Sequence, residues 1–168
     1  MNLSEAQNIA NEFTAIIEPF TERIVIAGSI RRQCETVNDI DIVIKQKSYH
    51  LQKFFLDKAR DTHIMTKKTD PLLKLKHGSR QMEVMFQGRK LELYLATDKN
   101  FGLITLIRTG SAKFSQSMLA EWKKVSHGGE SRDGILRKGN GEPVLVPDEE
   151  KFFDLVGMDF VPPVERNI

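Results

Sequence analysis

Asp39-Ile40-Asp41 opens an alternating run and lies nine residues after Gly28-Ser29, which ends an apolar one. Residues two apart on a strand project from the same face, so the two carboxylates stand side by side. Such a pair repels itself unless a cation stands between its members, and hard oxygen donors of this kind suit Mg²⁺ or Mn²⁺. The glycine allows close backbone approach to a ligand, and a helix starting at Ser29 points free N–H groups at an anion. Arg31 and Arg32 follow at once, and a guanidinium matches phosphate oxygens in pairs. Phosphate held beside paired carboxylates and divalent metal is the equipment of phosphoryl or nucleotidyl transfer. Any one of these features suits an ordinary surface strand. Their coincidence at strand boundaries carries the reading.

A third acid is expected from a neighbouring strand. In Leu91-Glu92-Leu93-Tyr94-Leu95 the leucines share one face and leave Glu92 and Tyr94 on the other. Glu83 in Met82-Glu83-Val84 has the same alternation and competes for the role.

The elements that position these residues follow from periodicity. Ser4 and Gln7 have capping-box spacing before Ile9, Phe13, Ile16 and Ile17, and Pro19 closes that helix. Arg23–Gly28 reads as a buried strand, and Asp39–Ile44 as one with Ile40, Ile42 and Ile44 facing a core. Leu51, Phe54 and Phe55 predict a helix. Leu72–His77, Arg80–Phe86 and Lys90–Leu95, separated by Gly78-Ser79 and Gln87-Gly88, predict an antiparallel meander. From Asn100 the period becomes helical through Leu103, Leu106 and Ile107. Gly110-Ser111 then restarts a helix carrying Phe114, Met118, Leu119 and Trp122. At that spacing Phe114 and Trp122 are core residues rather than stacking platforms. A turn-rich stretch leads to Asp148, which caps a helix with Phe152, Phe153 and Leu155.

The net charge of +2 conceals an asymmetry. Eight Lys or Arg against three acids lie between Lys99 and Lys138, so that segment is +5 and the remainder −3. An anionic partner for the second half follows, with Arg108, Lys113, Lys123 and Lys124 as candidate nucleic-acid contacts. A single cysteine, Cys34, excludes an internal disulfide and a cysteine-rich zinc site, and His50, His63, His77 and His127 lack ligand spacing. No run approaches the roughly 20 apolar residues of a membrane helix, and the first residues have no apolar signal-peptide core. A cytoplasmic, reducing setting with no membrane partner is the expectation.

The stretch GSIRRQCETVNDIDIVI resembles the motif of the family X, polymerase beta-like DNA polymerases, in which glycine-serine and an arginine pair precede two catalytic aspartates. RKLELYL resembles the strand bearing the third metal ligand. RTGSAKF is similar to the threonine-glycine-serine motif at the palm–thumb junction, and PDEEKFFDLVGMDFVPPVERNI to the closing helix, hydrophobic strand and double proline. The resemblance implies an α+β fold of minimal form: a nucleotidyltransferase palm over residues 1–98 and a small α+β thumb over 99–168. It implies metal binding and catalysis by Asp39, Asp41 and Glu92. It assigns nucleotide binding to Gly28, Ser29 and Arg32, with Gly110 and Ser111 of the threonine-glycine-serine motif. The implied activity is nucleotidyl transfer from a nucleoside triphosphate to the 3′-hydroxyl of gapped or primed DNA, with two Mg²⁺ ions.

Four departures from the family pattern involve six residues. Glu92 stands where aspartate is usual, Ile107-Arg108 replaces an aromatic pair, Ala112 and Ser115 replace an aspartate and an asparagine, and Leu119 replaces an arginine. Ile107, Arg108, Ala112 and Ser115 favour an alternative, a template-independent nucleotidyltransferase acting on RNA, protein or a small molecule, and Leu119 weakens the expected template contact. Glu92 leaves open a nucleic-acid binding module with weakened catalysis, since one extra carbon–carbon bond, roughly 1.5 Å, displaces the carboxylate.

Overall fold

A computed structural model of the protein describes residues 1–47, 64–66 and 80–168. The helix expected around Leu51, Phe54 and Phe55, the strand Leu72–His77 with its turn Gly78-Ser79, and His50, His63 and His77 lie outside the described residues. The chain divides into two compact units, Met1–Leu95 and Ala96–Ile168. The class is α+β.

The first unit begins with α1 (Leu3–Ile17), which buries Ala6, Ile9, Ala10, Phe13 and Ile17. Its cap is Asn2, whose side chain accepts from the Glu5 N–H at 2.8 Å. The start is therefore two residues before the expected Ser4, because Asn2 and Glu5 have the same box spacing as Ser4 and Gln7. Pro19 sits in a 3₁₀ turn, Glu18–Phe20, directly after the helix.

A sheet follows, built from β1 (Thr21–Ile26), β2 (Ile40–Gln46), β3 (Ile64–Thr66), β4 (Gln81–Phe86) and β5 (Arg89–Ala96), in the spatial order β1-β2-β5-β4-β3. Between β1 and β2 lies one short helix, α2 (Gly28–Arg31). β1 and β2 pair antiparallel, with Val25 opposite Val43 and Ile26 opposite Ile42. β4 and β5 form a hairpin through Gln87 and Gly88, whose φ values of 49° and 71° suit a two-residue turn matched to the strand twist. β3 pairs with β4, Met65 opposite Met85. Ile40, Ile42, Ile44, Met82, Val84, Leu91 and Leu93 pack with the buried face of α1. Period-2 alternation therefore sends Lys90, Glu92 and Tyr94 to the other face of β5.

The second unit contains α3 (Phe101–Thr109), α4 (Ala112–Val125), a small sheet of β6 (Glu130–Arg132), β7 (Ile135–Arg137) and β8 (Pro143–Val144), and α5 (Glu149–Val156). Phe114, Met118 and Trp122 are buried with Leu103, Leu106, Leu136, Phe152 and Phe153. The stretch read as merely turn-rich thus holds three antiparallel strands. At two or three residues each they are too short to show a period. Asp148 caps α5 by accepting from the Lys151 N–H at 2.8 Å.

The hydrophobic strand that the resemblance implies in the closing stretch is not formed after α5. Side chains hold that segment instead. Arg166 is fully buried, donates through Nε to the Val161 carbonyl at 2.8 Å, and pairs with Glu149 at 2.5 Å. Its guanidinium lies over the rings of Phe114, Phe153 and Phe160, 5.5, 5.5 and 5.2 Å from their centres. Removing one partner of such a pair leaves a buried, uncompensated charge and costs about 3–5 kcal/mol. No helix among the described residues is long and apolar enough to cross a membrane.

Candidate active site

Asp41 lies within β2, and Asp39 stands just before the strand with its side chain half exposed. The Asp41 carbonyl accepts from the Ala27 N–H at 2.8 Å, which docks the β1–α2 turn onto β2. Gly28 opens α2 at φ +57°, and a Cβ built there would lie 2.0 Å from Asp41 Oδ2. The glycine read from sequence as room for a ligand is already required by the Asp41 carboxylate. Ser29 is half buried, and its carbonyl accepts from the Cys34 N–H at 3.0 Å. Arg32 closes α2 as its C-cap.

Glu92 is drawn toward both aspartates through intermediaries. The Tyr94 hydroxyl donates to Glu92 Oε2 and lies 3.2 Å from Asp41 Oδ1. The Lys90 ammonium donates to Glu92 Oε1 at 2.6 Å and lies 3.2 Å from Asp39 Oδ1. Gln81 Nε2, from β4, donates to Glu92 Oε2 at 2.9 Å. Three donors thus orient one carboxylate. The hydrogen bond to Glu92, more than the contact with Asp39, raises the Lys90 ammonium above its ordinary pKa against the lowering effect of burial.

Glu83, the competing third acid, is directly opposite Glu92 in the β4–β5 register and shares its face. Alternation alone could not separate the two. The links through Lys90 and Tyr94 run to Glu92. Sequence reasoning did not assign roles to Lys90, Tyr94 or Gln81. The signal was present for the first two, since positions 90, 92 and 94 share one face of a strand.

No group of three or more His, Cys, Asp or Glu among the described residues is gathered closely enough to hold a metal ion. The donor chemistry of Asp39, Asp41 and Glu92 fits a hard divalent cation. Lys90 and Tyr94 stand where these carboxylates would converge.

In the second unit Arg108, Lys113, Lys123 and Lys124 are exposed. Lys113 and Lys124 are eleven residues apart on α4, close to three full turns, so they share one face about 16 Å apart. Lys124 is paired with Glu121 at 2.6 Å. Thr109 is buried, while Ser111 caps α4 by accepting from the Phe114 N–H at 3.1 Å and donates to the Ile168 carbonyl at 2.7 Å. A Cβ on Gly110 would meet the Phe114 ring at 2.6 Å. Gly110 and Ser111, expected at the nucleotide, therefore also serve the local packing of α4 and the chain end. Ser115 is buried and donates to the Ile107 carbonyl at 2.9 Å.

The protein is α+β, with a carboxylate network on the sheet of its first unit and exposed cations on the helices of its second. Residues 104–167 match the DNA polymerase beta thumb family. That match bears out the resemblance over the second unit and ties it to polymerase-related, DNA-binding proteins. No curated protein matches the chain.

Proposed function

We propose that the chain is a metal-dependent nucleotidyltransferase of the gap-filling DNA polymerase type, transferring a nucleotide from its triphosphate to a DNA 3′-hydroxyl. The observation that carries this reading is the match of residues 104–167 to the DNA polymerase beta thumb. The network of Asp39, Asp41 and Glu92 on the first unit supports it, because a thumb-bearing polymerase needs paired carboxylates on a sheet. Those three residues would hold Mg²⁺ or Mn²⁺, which when bound supplies charge neutralisation at the phosphates and lowers the pKa of the attacking hydroxyl. Glu92 takes the hydroxyl proton, with Gln81 and Tyr94 setting the orientation of its carboxylate. Ser29 and Arg32 hold the β- and γ-phosphates. The exposed cations of α3 and α4 hold the DNA backbone without reading sequence.

A second reading, a nucleic-acid binding module without catalysis, is favoured by one observation: Lys90 and Tyr94 bridge the carboxylates that a metal would use. Incubation with Mg²⁺, labelled deoxynucleotides or ribonucleotides, and gapped DNA, single-stranded DNA or RNA separates the readings. Extension of the gapped primer according to the template supports the polymerase. Untemplated addition points to a terminal transferase. Salt-sensitive DNA binding with no product under any combination leaves the binding module.

A further inference from the structure

The Lys90 ammonium contacts Glu92 Oε1 at 2.6 Å and Asp39 Oδ1 at 3.2 Å. A cation shared by those two carboxylates would occupy the same place. An ammonium offers three donors around a compact unit charge, so it satisfies two carboxylates much as a small ion would. The Lys90 and Glu92 side chains are 28% and 16% exposed, so their pairing is screened less than one in open solvent. Lys90 also has a long, flexible stem, which lets its charge leave without any change in β5. We propose that Lys90 is a built-in competitor for the divalent cation, holding Asp39 and Glu92 in the ion's stead and withdrawing before it can bind. The proposal rests on the metal-dependent reading of the site and adds an order of events to it. The ion position served by Glu92 is conditional on Lys90, so it fills at higher metal concentration than its donors alone would require.

The competing explanation is a lysine that only ties β5 to the start of β2. Removing such a tether loosens the site and weakens metal binding, whereas removing a competitor tightens it. Mn²⁺ titrations followed by electron paramagnetic resonance distinguish the two in wild type, Lys90→Met, Lys90→Arg and Asp41→Ala. Lys90→Met is expected to bind one Mn²⁺ about tenfold more tightly than wild type, equivalent to about 1.4 kcal/mol. Lys90→Arg, which keeps the charge, should stay close to wild type. Lys90→Gln replaces Lys90→Met if the latter does not fold, since it keeps a donor for Glu92 while removing the charge. Asp41-dependent Mn²⁺ binding in wild type that is unchanged or weakened by loss of the Lys90 charge overturns the competitor and leaves the metal-dependent reading standing. No Mn²⁺ binding by wild type or by the neutral variants overturns both.

Discussion

Gly28→Ala tests the relation between the turn after β1 and the carboxylate it shelters. Gly28 has φ +57°, and an added Cβ would lie 2.0 Å from Asp41 Oδ2, 2.9 Å from Cγ and 3.1 Å from Cβ. The backbone conformation alone costs an L-residue roughly 1–2 kcal/mol. Reaching ordinary contact near 3.4 Å requires the oxygen to retreat by about 1.4 Å. Rotating the carboxylate does not suffice, because the Asp41 Cβ is also too close. Either α2 shifts or Asp41 does, and a misplacement of about 1 Å at a reacting centre costs on the order of a hundredfold in rate.

Gly88→Ala is the matched control. Gly88 has φ +71° with nothing within 4 Å of an added Cβ, so it reports the backbone cost without the clash. The assay is single-turnover primer extension, paired with denaturation followed by hydrogen exchange in residues of the first unit. Gly28→Ala should lose at least about 1 kcal/mol more stability than Gly88→Ala, together with roughly a hundredfold in rate, whereas Gly88→Ala leaves the rate unchanged. Equal stability losses in the two variants, with the rate intact in both, would refute the contact with Asp41 as the reason for glycine at position 28.

Tyr94→Phe removes the hydroxyl shared by Asp41 and Glu92; it should cost about 1–2 kcal/mol in the first unit, read by hydrogen exchange. Arg166→Met strands Glu149 in the core and should destabilise the second unit by about 3–5 kcal/mol in urea, monitored through Trp122, the single tryptophan, which is buried there. The Lys90 ammonium, raised above its ordinary pKa, contributes stability that is complete below the unfolded value and lost only as pH rises past the folded one. Lys90→Met should therefore cost the same, about 1 kcal/mol, at pH 6 and pH 9; a penalty that fades toward pH 9 would contradict the pairing. Binding to gapped DNA should weaken steeply with salt, and Lys113→Glu with Lys123→Glu should lower the salt slope by about two. Lys124→Ala should matter less, because Glu121 already partly neutralises that charge.

Much of this was legible in the sequence where side-chain period and turn chemistry coincide. Ile40, Ile42 and Ile44 alternate over a buried face, and Gln87-Gly88 marks the hairpin, so β2, β4 and β5 could be drawn. The α4 stripe of Phe114, Met118 and Trp122 was equally plain. The strands β6 to β8 were not, since pairs and triplets of residues carry no period and depend on partners far along the chain. The burial of Arg166 was hidden for a related reason. A lone arginine among polar tail residues reads as solvated until Glu149 and three aromatic rings are brought around it. In the candidate site alternation named the acids and also set Lys90 and Tyr94 on the face of Glu92, but it gave Lys90 no partner. Its role comes from the distances to Glu92 and Asp39, and those depend on β5 lying beside β2.

Lys90, Glu92 and Tyr94 hang from one arm of a hairpin, with Gln81 on the other arm and two turn residues between the strands. Because strand side chains alternate strictly, a slip of β5 by one residue against its neighbours turns all three of its groups toward the isoleucine core at once. The site is therefore open to heritable change in composition but not to a slip in register. Substitutions at Lys90 or Glu92 can accumulate one at a time while the fold persists. A one-residue slip of β5 removes the acid, its cation and its phenol in one event.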